Sequence, residues 1–114
     1  MSDCIFCKIA NHEMDSDIVY EDGKVIAFRD LEPQAPVHIL IVPKEHIATT
    51  LDLTEKDNEL IGHIYQVASE IAEEEDIAED GFRVVNNCNE SGGQTVFHLH
   101  FHLLGGRNLQ WPPG

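Results

Sequence analysis

The chain has 114 residues, 42% hydrophobic and 25% charged, which suits one compact domain spanning residues 1–114 and excludes two. Seven basic against 21 acidic side chains give a net charge of −14, so duplex nucleic acid and anionic membrane surfaces, which are bound through Lys and Arg, are poor partners. No apolar run approaches the ~18 residues that cross a bilayer, the start Met1-Ser2-Asp3-Cys4 lacks the features of a secretion signal, and Cys4, Cys7 and Cys88 are too few for a disulfide scaffold; the expectation is a soluble, cytoplasmic protein.

In chain order, Cys4 to Ala10 is apolar at Ile5, Phe6 and Ile9, the pattern of a short helix packed on a core. Ile18–Glu21, Asp22-Gly23 and Lys24–Phe28 read as a β-hairpin with a type I′ turn at Asp-Gly. Pro33-Gln34-Ala35-Pro36 interrupts the sheet pattern, and Val37–Val42 resumes it as a buried strand ended by Pro43. From Thr54 to about Glu75, Leu60, Ile61, Ile64, Val67, Ala68, Ile71 and Ala72 fall on one helical face. Thr54 with Asp57 resembles a capping box, and Gly81 is placed for the chain reversal after the helix. Phe82–Asn87 is a strand by propensity, Glu90–Gly93 a turn, and Val96–Leu104 another strand, stopped by Gly105-Gly106. The sum is an α+β domain: five strands in a mainly antiparallel sheet, one long helix and a short N-terminal one.

The charge is uneven: residues 1–80 carry −15 and residues 81–114 carry +1, so an anionic ligand is least repelled in the C-terminal third. In His98-Leu99-His100-Phe101-His102-Leu103-Leu104 the period is two. A strand there puts three imidazoles on one face and Leu99, Phe101 and Leu103 on the other. Neighbouring histidines would sit ~6.7 Å apart and the outer pair ~13 Å apart, too far to share one metal. Cys4-x-x-Cys7 has three readings at this level: a redox pair, two buried thiols, or half of a zinc site. The N–H groups of Gly92, Gly93 and Gln94 form either an anion-binding concavity or an ordinary glycine turn. His12 and His63 have no partner in the sequence.

The segment Gly92 to Arg107 resembles the signature of the histidine triad (HIT) family, His-φ-His-φ-His-φ-φ, and its Hint branch in particular. The resemblance continues through Ile5-Phe6, Phe28-Arg29-Asp30-Leu31, Pro33–His38, Pro43-Lys44-Glu45-His46 and Trp111-Pro112-Pro113-Gly114. It implies the HIT fold and hydrolysis of purine nucleoside 5′-phosphoramidates, yielding the monophosphate and an amine through a covalent nucleotidyl-histidine. His100 carries over as the nucleophile, with its other nitrogen held by a backbone carbonyl and His38 supporting the relay behind it. His102 carries over as a donor to the phosphoryl oxygens and leaving group, and Thr95 as an aid to protonating the amine. Asn87, or the adjacent Asn86, is expected near the phosphate, Asp30 at the ribose hydroxyls, and Ile5, Phe6, Ile9, Phe28 and Leu31 around the base. Gly93, Gln94 and Thr95 complete the expected nucleotide contacts.

The resemblance also completes Cys4 and Cys7 with His46 and His98 as a closed, structural Zn²⁺ site. It implies a homodimer in which the segment ending Trp111–Gly114 reaches toward the partner's active site. Two other readings stay open: a dinucleoside polyphosphate hydrolase or nucleotidyl transferase of another HIT branch, and a nucleotide-binding or scaffold module with incidental catalysis.

Overall fold

The computed structural model describes residues 4–114; Met1, Ser2 and Asp3, part of the N-terminal reading above, lie outside the described residues. Helix α1 (Ile5–Ala10) leads into strands β1 (Ile18–Glu21), β2 (Val25–Arg29) and β3 (Val37–Pro43). Helix α2 (Asn58–Glu74) follows, then β4 (Phe82–Val85) and β5 (Phe101–Gly105). The strands form one antiparallel sheet in the order β1-β2-β3-β5-β4. Among the described residues no helix is long and apolar enough to cross a membrane.

The period-two pattern of the central strands divides the molecule into two apolar layers. Ile39 and Ile41 of β3, Val25 and Ala27 of β2, and Phe101 and Leu103 of β5 face α2, whose Ile64, Val67, Ala68, Ile71 and Ala72 are buried against them. Each fully buried Ile or Val there contributes about 1.5–3 kcal/mol of transfer free energy. On the opposite face, Ile26, Phe28, Leu40 and Val42 pack with Phe6, Ile9 and Ala10 of α1. His38 and His102 belong to this second face by strand alternation, so the sheet presents its imidazoles to the α1 side.

Thr54 caps the entry to α2 as the sequence suggests. Its side chain and that of Asp57 exchange the two capping-box bonds over a single 3₁₀ turn, Glu55–Asp57, which runs into the helix. Three local expectations are corrected. The helix first reverses at Asp76 (φ 65°), with the Ile77 N–H returning to the Ala72 carbonyl, and Gly81 (φ 112°) makes a second reversal before β4, its N–H on the Ile77 carbonyl. Neither Asp22 nor Gly23 has positive φ, so the hairpin is not type I′. The Asp22 carboxylate instead accepts from the N–H groups of Lys24 and Val25, at 2.7 and 2.9 Å, replacing the backbone twist with a side-chain turn.

The third correction concerns the triad strand. β5 begins at Phe101, and residues 96–100 lie outside the ladder. The Leu99 N–H bonds the Ile47 carbonyl, and the Asn86 carboxamide donates to the His100 carbonyl at 2.9 Å, taking the place a strand neighbour would fill. The alternation of faces survives all the same, because Leu99, Phe101 and Leu103 are buried on the α2 side.

Candidate active site and metal centre

His38 on β3 lies opposite Leu104, diagonal to His102 on β5. That diagonal brings the His38 Nε2 to 2.9 Å from the His102 Nδ1. The backbone N–H of Gln34 donates to the His38 Nδ1 at 3.0 Å, so Nδ1 is an acceptor and the ring proton sits on Nε2. His38 therefore donates to the His102 Nδ1, and His102 in turn carries its proton on Nε2. The relay built on His38 stands behind His102, not behind His100 as the sequence reading has it.

His100 is fixed by a different group. Its Nδ1–H donates to the carbonyl of His98 at 2.7 Å, leaving the lone pair on Nε2. Burial pushes the His100 imidazole below its ordinary pKa range, against the opposing pull of the His98 carbonyl and the Asp30 charge. For His102, burial and then repulsion from His100 and His38 push the pKa down to about 4; burial also lowers that of His38. All three rings are neutral at pH 7, which is the state a nucleophilic imidazole requires.

A cavity of about 270 Å³ opens beside these rings. It is lined by the polar His100, His102 and Thr95, by the apolar Ile5, Phe6, Ile9, Phe28 and Leu31, and by Asp30, Met14, Asp15 and Ser16. The Phe6 ring stands edge-on to both His100 and Phe28, at centroid distances of 5.0 and 5.5 Å. Nine of the residues expected at the nucleotide are thus brought together around one cavity.

Asn87, Gly93 and Gln94 do not line it. The N–H groups of Gly92, Gly93 and Gln94 return to the carbonyls of Asn89, Glu90 and Asn89, so these three donors shape a turn rather than an anion cradle. Gly93 is required there by its φ of +93°. The buried Gln94 side chain accepts from the Asn89 N–H and donates to the Ala48 and Val96 carbonyls, pinning the loop before the histidines. Asn86, the alternative to Asn87 in the sequence, is the one tied to the triad. Besides holding the His100 carbonyl, it accepts from the Thr50 hydroxyl, and only its tertiary neighbours distinguish it from Asn87.

On the far side of Phe6, Cys4, Cys7, His46 and His98 converge, their donor atoms all within 4.8 Å of one another. Tetrahedral bonds of about 2.0–2.3 Å require edges of roughly 3.3–3.8 Å. The structure has 3.2 Å from Cys4 Sγ to His98 Nδ1, 3.2 Å from Cys7 Sγ to His46 Nδ1, 3.5 Å from Cys7 Sγ to His98 Nδ1, and 3.2 Å between the two Nδ1 atoms. The fully buried His98 donates Nε2–H to the Pro43 carbonyl at 2.8 Å, which fixes the tautomer and leaves its Nδ1 lone pair aimed at the sulfurs. Donor set and geometry both fit a thiophilic metal ion. Asp30, His38 and His102 also lie within ligand distance of one another. The His38 tautomer argues against a metal there: a metal on the His38 Nε2 would drive the ring proton to Nδ1, against the Gln34 N–H.

The two unpartnered histidines of the sequence find carboxylates in the fold. His12 lies 2.8 Å from Glu21, and His63 of α2 lies 2.6 Å from Asp22, tying the helix to the hairpin.

Comparison with known proteins gives a match to the HIT domain family model over residues 11–109. The purine nucleoside phosphoramidase of Escherichia coli (strain K12) is 53% identical over 105 residues, 92% of this chain and 88% of that protein. A 14 kDa zinc-binding protein of Zea mays is 50% identical over 115 residues, 99% of this chain and 89% of that one. A solved structure described as a HIT family hydrolase from Legionella pneumophila Philadelphia 1 superimposes with a TM-score of 0.97 at 51% identity, covering 98% of this chain and all of that one. With the family match spanning most of its length and the E. coli relative so similar, the chain belongs to the HIT domain family, in its bacterial Hint-type branch.

Proposed function

We propose that the chain hydrolyses purine nucleoside 5′-phosphoramidates to the nucleoside monophosphate and an amine. The observation that carries this reading is the locked His100 tautomer, Nδ1–H on the His98 carbonyl and the Nε2 lone pair free, in a ring that lines the cavity. In the first step His100 Nε2 attacks the α-phosphorus and the P–N bond breaks. Its electron pair stays on the departing nitrogen, which takes the Thr95 hydroxyl proton as that hydroxyl takes one from His102 Nε2. His102 donates Nε2–H to a phosphoryl oxygen as charge builds there. Water then attacks phosphorus, its proton returns through the Thr95 hydroxyl to His102 Nε2, the P–Nε2 bond breaks, and the monophosphate leaves with His100 and His102 restored. Asp30 accepts from the ribose hydroxyls, and Ile5, Phe6, Ile9, Phe28 and Leu31 enclose the base.

Zn²⁺ in the Cys4, Cys7, His46, His98 cluster supplies structure rather than chemistry, because four protein ligands leave no open position. The kinship with the Zea mays zinc-binding protein supports this assignment. A homodimer agrees with the exposed apolar side chains Phe82, Phe97 and Trp111 and with β4 at the sheet edge. Residues 108–114 line no part of this protomer's cavity, which suits the C-terminal segment to a partner's site. Light scattering coupled to gel filtration tests the dimer. Cysteine usage favours the cytoplasm.

The deciding experiment is AMP release from an adenosine 5′-phosphoramidate by the wild type and by His100→Ala at equal folded concentration. Turnover lost in the variant supports the reading. A folded, nucleotide-binding wild type that turns nothing over refutes it.

A further inference from the structure

Helix α1 serves two places at once. Cys4, its N-cap, and Cys7 belong to the cysteine–histidine cluster, while Ile5, Phe6 and Ile9 form one wall of the cavity. Six residues are far too few for an α-helix to persist in water by itself. The shape of that wall therefore depends on what anchors α1 to the sheet. A second link runs through His98: its ring is in the cluster, and its carbonyl holds Nδ1 of the nucleophile. The Phe6 ring joins both, standing edge-on to His98 at 6.0 Å and to His100 at 5.0 Å.

None of the four cluster residues lines the cavity. We propose that they are positioning residues for it: metal occupancy of the cluster and nucleotide occupancy of the cavity are positively coupled through α1 and the His98 backbone. The proposal rests on the reading of the cavity as a purine nucleotide site and of the cluster as a zinc site. With metal bound, α1 is fixed at its Cys4–Cys7 end and the base wall is preformed. With metal lost, the wall must be ordered by the nucleotide itself, at the expense of affinity. Linkage makes the effect reciprocal, so each ligand tightens the other by the same factor.

The test uses the zinc-loaded protein and follows transfer of zinc to a chromogenic chelator with and without saturating AMP or GMP. Bound nucleotide should raise zinc affinity at least fivefold, within the roughly 5- to 150-fold span of such couplings. Nucleotide affinity, measured by calorimetry, should fall by the same factor once zinc is removed. Hydrogen exchange separates this from general stabilisation: metal removal should expose the amides of residues 8–10 while those of β2 and β3 stay protected. Equal zinc affinity with and without bound nucleotide overturns the coupling. A zinc-loaded protein that binds neither AMP nor GMP overturns the nucleotide reading, and purified protein without stoichiometric metal overturns the zinc reading; either result takes the coupling with it.

Discussion

His38 makes two hydrogen bonds with opposite roles, and two amide substitutions separate them. Gln places a side-chain nitrogen near the imidazole Nε2, where it donates to His102, but leaves no acceptor for the Gln34 N–H. Asn places its carbonyl near Nδ1, where it accepts from Gln34, but donates nothing to His102. The bond between His38 and His102 is 2.9 Å long, and His38 is 6% exposed, so breaking it leaves an acceptor unsatisfied in a nearly dry site. That costs about 1–3 kcal/mol. Expressed in the transition state, it is a loss of roughly 5- to 150-fold in kcat/KM. His38→Asn should show this loss, while His38→Gln should stay within about fivefold of wild type and pay chiefly in stability. The assay is steady-state phosphoramidate hydrolysis beside urea denaturation of each variant. If His38→Asn is as active as His38→Gln, the tautomer chain from Gln34 through His38 to His102 is wrong.

The depressed imidazoles predict a pH dependence: as pH falls, kcat/KM should hold past the range where an ordinary imidazole titrates and begin to drop only at lower pH, with the contribution of His102 lost toward about 4. The sign for stability is the same. The unfolded His102 binds its proton near pH 6.5 and the folded one near 4, so the contribution of this residue is complete above 6.5 and is lost as pH falls to 4. Comparing denaturation of wild type and His102→Gln across that window isolates it. Gly105→Ala would put a methyl 2.5 Å from Ile77 Cδ1 and 3.1 Å from its Cβ, for a loss of about 1–3 kcal/mol. Ile77→Val removes the nearer atom, so the double mutant should be measurably more stable than the sum of the singles predicts. Cys4→Ser should purify without stoichiometric zinc by elemental analysis. Its thermal midpoint should fall by the equivalent of roughly 4 kcal/mol, if free metal stands a thousandfold above the wild-type Kd.

Much of this protein was legible as one-dimensional pattern. The one-sided apolar spacing of α2 and its Thr54–Asp57 start are visible in the chain, because helix period and capping act over a few residues. The triad alternation likewise placed Leu99, Phe101 and Leu103 in the core and the imidazoles on the other face. The hairpin turn failed at the same range: Asp-Gly permits positive φ without requiring it, and the Asp22 carboxylate offered the backbone a competing set of hydrogen bonds. The strand beginning at Val96 failed because its propensity is real but its partners are not there. Asn86 and Ile47 take up the polar groups of residues 99 and 100 before β5 begins.

Residue order alone specifies which side chains are available for chemistry and, through periods of 2 and 3.6, which of them share a face. What each ring does follows from contacts made in the folded molecule. His98, His100 and His102 are alike in the pattern, yet the Pro43 carbonyl turns the Nδ1 of the first toward two sulfurs, the His98 carbonyl leaves the second with a free Nε2, and His38 leaves the third a donor. The reason is physical: a neutral imidazole has one proton and one lone pair, and which nitrogen holds which is set by hydrogen-bond partners. For His98 and His102 those partners lie 55 and 64 residues away in the chain, beyond the reach of any local pattern.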